Sequence, residues 1–103
     1  MIVRSWGART PLERGGAFHR HLLTTGIADY RSRAGCRNVL LLRRDEAGGA
    51  HFLLLSFWDS VDALRAYASE NFEIAVSYPG DAAFGLEPDR FAQHWRVIST
   101  ELE

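Results

Sequence analysis

The sequence predicts an α+β domain with the element order β-α-β-β-α-β, and three observations carry that reading. Segments near both ends alternate in the period of a strand. Two segments at helical spacing begin with capping residues. Between them lie two apolar runs separated by a glycine-rich turn, the pattern of a hairpin.

Residues 2–6 place Ile2, Arg4 and Trp6 on one side and Val3 and Ser5 on the other, which makes the first strand. Gly7-Ala8-Arg9 turns the chain. Thr10-Pro11-Leu12-Glu13 then offers a hydroxyl N-cap, a proline at the first helical position and a glutamate at N3, so a helix is expected to about Thr25, with Gly26 as its left-handed stop. Leu12, Phe18, Leu22, Leu23 and Gly26 share one arc of that helix. His19 lies near the middle of the arc and is expected to look inward, whereas His21 points away to the surface. Gly15-Gly16 lowers helix propensity and reads as close approach to another group.

Residues 27–35 form a connection of mixed polarity. The second strand is expected at 36–44, a turn at Asp45-Glu46-Ala47-Gly48-Gly49, and the third strand at 51–58, antiparallel to the second. Asp59 or Ser60 caps the second helix, in which Val61, Leu64, Ala68 and Phe72 recur at helical spacing. A break is expected near residues 69–71, followed by a short second helical piece that ends at Tyr78-Pro79-Gly80-Asp81. The fourth strand is expected at 91–99, with His94 and Trp95 on opposite faces.

Length and composition allow one domain spanning residues 1–103. The net charge of −1 gives no field to attract nucleic acid or an acidic membrane, and no apolar run is long enough to span a bilayer. Nucleic-acid and membrane partners are therefore not expected. A single cysteine, Cys36, precludes an internal disulfide and fits a reducing, cytoplasmic setting; it reads as a passive strand-edge thiol. Zinc-ligand spacing, a phosphate loop after a strand and a nucleophile elbow are all missing, so no metal site is expected.

Two helices on one face of a four-stranded antiparallel sheet make a ferredoxin-like layer and leave the other sheet face uncovered. Such a face should carry alternating polar residues. Instead residues 39–42 and 52–57 are apolar at both parities, the pattern of strands buried on both sides. A second copy of the chain, related by a twofold axis, is the expected cover.

The run Leu53-Leu54-Leu55-Ser56-Phe57-Trp58-Asp59-Ser60 with Ala63, the Ala34-Gly35-Cys36-Arg37 stretch and the Tyr78-Pro79-Gly80-Asp81 segment resemble the antibiotic biosynthesis monooxygenase (ABM) family of dimeric α+β barrels. The resemblance implies a ligand pocket within each subunit, between helices and sheet. It also implies a reaction class: the family includes cofactor-independent oxygenases of phenolic polyketides, along with haem-degrading enzymes. In the latter a tryptophan ends the third strand, a histidine follows on the second helix and an asparagine lies in the first strand. Trp58 matches the first, but residues 61–76 contain no histidine and the first strand no asparagine. Haem degradation by that chemistry is therefore disfavoured, although His19 could ligate iron from the other helix.

A homodimer that acts on a small aromatic or polyketide-like substrate, without a cofactor, is therefore the leading expectation. Such an oxygenase needs a proton acceptor, an apolar pocket and groups that hold an oxygen intermediate. His94 is the expected proton carrier, with a locally bonded strand histidine as its other reading. Trp58 is the expected catalytic wall, whose indole N–H can donate to substrate or oxygen, and an ordinary core aromatic otherwise. Substrate binding is assigned to His19, Tyr78, Arg4, Trp6 and Ser56. For Arg4, a salt bridge to a nearby carboxylate competes with pairing to a substrate anion. The alternatives from other classes are a non-catalytic small-ligand or haem-binding barrel and a polyketide cyclase or isomerase.

Overall fold

A computed structural model describes residues 1–99. It contains the strands β1 (Ile2–Thr10), β2 (Cys36–Glu46), β3 (Gly49–Trp58), β4 (Glu87–Pro88) and β5 (Gln93–Arg96), and the helices α1 (Gly15–Thr24), α2 (Gly26–Arg31) and α3 (Val61–Ala68). All strand pairs are antiparallel, in the order β2-β3-β1, with β4 and β5 both pairing with the far side of β1. The α+β class and antiparallel sheet follow the sequence reading.

The register sorts the side chains. Opposite residues in a ladder share a face. Arg4 opposes Ser56 and His94, Trp6 opposes Leu54, and Ala8 opposes Phe52, all on the face the helices cover. Phe18 and Leu22 of α1, Ile27 and Tyr30 of α2, and Leu64 and Ala68 of α3 close the core over that face, with Trp58 fully buried at its centre. The other face carries Leu40, Leu42, Leu53 and Trp95, all exposed. Packing is tight where these layers meet: a Cβ on Gly35 would stand 2.4 Å from the Cβ of Ala63, so only glycine lets the turn before β2 pass this close to α3.

Several elements depart from their sequence-based bounds. β1 runs on through Gly7 to Thr10, because Ala8, Arg9 and Thr10 pair with β3. Thr10 therefore cannot cap a helix; its hydroxyl donates to the Pro11 carbonyl, and a 3-10 turn at Leu12–Arg14 precedes α1. Gly26 does not stop a helix but begins α2, where a connection was expected; it is buried between Leu22 and Tyr78. Ser60 is the cap of α3, accepting from the Ala63 N–H at 3.2 Å. The break comes at Ser69, which has a positive φ of 72°. No second helical piece follows; Ile74 instead bridges to Phe91, and a 3-10 turn lies at Asp81–Phe84.

Candidate ligand cleft

The segment after α3 leaves the helix layer and lies along the end of the sheet, opening a cleft of about 590 Å³ between itself and Trp6. Ile74, Val76, Tyr78, Leu86 and Pro88 give it a mainly apolar lining. At its inner end a narrow crevice of about 20 Å³ runs between helices and sheet, lined by Arg4, Tyr30, Leu54 and Tyr67. Trp6, Val76, Tyr78 and Asp81 border both spaces, so cleft and crevice lie side by side with these four residues between them. The Trp6 indole N–H donates to the Asp89 carbonyl at 2.8 Å and holds the outer wall to β1.

Polar groups converge where cleft meets crevice. The Tyr78 hydroxyl donates to Asp29 Oδ2 at 2.9 Å, and that leaves Tyr67 to donate to Tyr78, 2.7 Å away. Arg33 fixes the other oxygen of Asp29 at 3.1 Å and lies over the Tyr67 ring. Burial raises the pKa of both phenols well above the usual range, so they remain proton donors.

Arg4 sits beneath this chain, 2% exposed. Its Nη atoms donate to the Phe72 and Ile74 carbonyls and to His94 Nε2, pinning the cleft wall to β1. No carboxylate of the described residues comes within ion-pair distance of it, so the salt bridge that competed for Arg4 does not form. His94 is shifted to a lower pKa, first by burial and then by the charge of Arg4.

The sequence-based site residues separate into two groups. Arg4, Trp6 and Tyr78 meet at the cleft. His94 lines neither space: its Nε2 is turned to Arg4 and its ring meets Phe72 edge-on. Trp58 is wholly buried, with its N–H donated to Ser56 Oγ at 2.9 Å and its ring stacked on Tyr67. Trp58 and Ser56 thus satisfy each other inside the core, away from any ligand surface. The two α1 histidines exchange places: His19 is exposed beside the β2 edge, whereas His21 is half-buried. Helical phase could not show this, because the cover over His21 comes from Phe84 and from Asp81, whose Oδ1 lies 2.6 Å from His21 Nε2. Cys36 has its thiol pKa pushed up by burial, in keeping with a passive role. Sequence reasoning missed Asp29 and Tyr67. Asp29 lies in α2, which the sequence reading left as a connection with no helical phase to place its carboxylate.

No family model matches the chain, and no curated protein matches it. Solved structures do. A Deinococcus radiodurans protein provisionally assigned as an antibiotic biosynthesis monooxygenase superposes with a TM-score of 0.62 at 17% identity, covering 100% of this chain and 98% of its own. A mutant of MhuD with two manganese protoporphyrin IX molecules per active site gives 0.69 at 15% identity, covering 100% of both chains. The fold is that of the ABM-like proteins. Rv0793 from Mycobacterium tuberculosis also shares the fold, with a TM-score of 0.57 at 17% identity over 99% of this chain and 100% of that one.

Proposed function

We propose that this chain is a homodimeric ABM-like protein that takes a small aromatic or polyketide-like molecule into the cleft and oxidises it with O₂, without a cofactor. One observation carries the reading: Tyr78, hydrogen-bonded to Asp29, faces both the apolar cleft and the crevice. A phenol docked against Trp6 and Val76 in place of the Tyr67 contact passes its proton to Asp29 through Tyr78. The resulting anion supplies electrons to O₂; the peroxide formed at the activated CH₂ carbon loses water and leaves a carbonyl. Substrate CH₂ and O₂ become C=O and H₂O, which balances. In this reading His94 and Trp58 shape the site from behind, and Tyr78 with Asp29 carries the proton.

The dimer is supported by the exposed apolar sheet face around Leu40, Leu42 and Leu53. The haem-binding alternative is weakened by the donor set, because no histidine lines the cleft or the crevice. No helix of the described residues is long and apolar enough to cross a membrane.

Oxygen uptake with anthrone-like phenols tests the activity. Loss in Tyr78→Phe and Asp29→Asn, with retention in His51→Ala, is the expected result; equal rates in all variants would reject the site. Substrate turnover without oxygen uptake would replace the oxygenase with a cyclase or isomerase. A solution mass equal to one chain at micromolar concentration would reject the dimer.

A further inference from the structure

We infer that the inner crevice is an anion receptor: the molecule that enters carries an acidic oxygen on its aromatic body, and Arg4 holds that oxygen. The inference rests on the cleft being a ligand site and specifies the chemistry of the ligand.

A guanidinium removed from water normally keeps a carboxylate beside it, since neutral partners compensate its charge only in part. Arg4 has neutral partners alone: two backbone carbonyls, the imidazole of His94 and the face of Tyr67 at 5.7 Å. Its Nε–H is buried and has no acceptor, the one such side-chain atom among the described residues. The nearby carboxylates are committed elsewhere. Asp29 accepts from Tyr78 and Arg33, and Asp81, which borders the crevice, accepts from the Tyr78 N–H and pairs with His21. Glu73 is exposed and forms no ion pair with Arg4. Arg4 is thus a buried cation at the inner end of the site that no carboxylate of the described residues contacts.

Room is matched to that charge. The crevice, at about 20 Å³, admits one oxygen-sized group, whereas the adjoining cleft of about 590 Å³ admits a ring system. An aromatic with a carboxylate or phenolate oxygen at one end fills both, its ring against Trp6 and Val76 and its oxygen beside Arg4 and Tyr67.

Calorimetric titration of the wild-type protein with 2-naphthoate, 2-naphthamide, 2-naphthol and 2-methoxynaphthalene tests this, with the Arg4 Nε–H resonance followed by NMR. The acidic member of at least one pair is expected to bind about tenfold more tightly than its neutral counterpart, as charge-assisted bonding in a dry site implies, and to shift that resonance. The pair that discriminates identifies the oxygen as carboxylate or phenolate. Arg4→Lys, which keeps the charge but loses the fork, should reduce the preference. If neutral and acidic members bind equally, the anion receptor is overturned and the aromatic cleft stands; if none of the four binds, the cleft reading falls as well.

Discussion

Arg4 Nη1 donates to Nε2 of His94 across 2.9 Å, and since a guanidinium has nothing to accept with, this contact defines His94 as a neutral imidazole protonated at Nδ1. The pair spans the β1 and β5 ladder at directly opposed positions. It ties the last strand to the buried charge and uses the lone pair a general base would need.

His94 should therefore make stability depend on pH. Its folded pKa lies below the ordinary 6.5, because burial and the Arg4 charge disfavour imidazolium. The unfolded chain takes up that proton first, so the contribution is complete above about pH 6.5, declines as the pH falls toward the folded pKa, and is level below it. Thermal melts from pH 7 to 5 should show this decline in the wild type. His94→Gln, which still accepts from Arg4 but does not titrate, should show less of it.

Asp81 anchors the outer wall, with Oδ1 on His21 at 2.6 Å and Oδ2 on the Tyr78 N–H at 2.8 Å. Asp81→Ala loses both bonds and is expected to cost about 1–2 kcal/mol. Asp81→Asn, which keeps an acceptor for Tyr78, should cost less. Denaturant melts give the values, and limited proteolysis should cut Asp81→Ala faster between residues 77 and 90.

Trp58 is expected to act through the core. Fully buried against Tyr30 and Tyr67, it should cost about 3–5 kcal/mol when replaced by alanine. The milder Trp58→Phe strands the buried Ser56 hydroxyl and should lower stability while aromatic-ligand affinity is unchanged. Calorimetry beside a chemical melt separates the two effects; a large loss of affinity in a well-folded Trp58→Phe would return the residue to the site.

Gly35→Ala should destabilise by overpacking, since the added methyl would meet Ala63 at 2.4 Å. About 1–3 kcal/mol is expected, and Ala63→Gly in the same chain should recover part of it.

What the sequence by itself determined is the part governed by neighbours in the chain. Alternation in β1 and β5, the hairpin between β2 and β3, and the Ser60 cap all follow from local periodicity and hydrogen bonding. The apolar parity of Leu40, Leu42 and Leu53 correctly marked a second apolar sheet face, because a strand shows its two faces in alternate letters. Tertiary structure decided the rest. Thr10 became a strand residue because a β3 partner outcompeted a helix cap. His21 was covered and His19 left bare by a segment sixty residues downstream. Arg4 lost its expected carboxylate, and Asp29 gained Tyr78, through contacts separated by 49 to 90 positions. Burial and charge pairing are properties of the assembled layers, and no local pattern encodes which distant group will arrive.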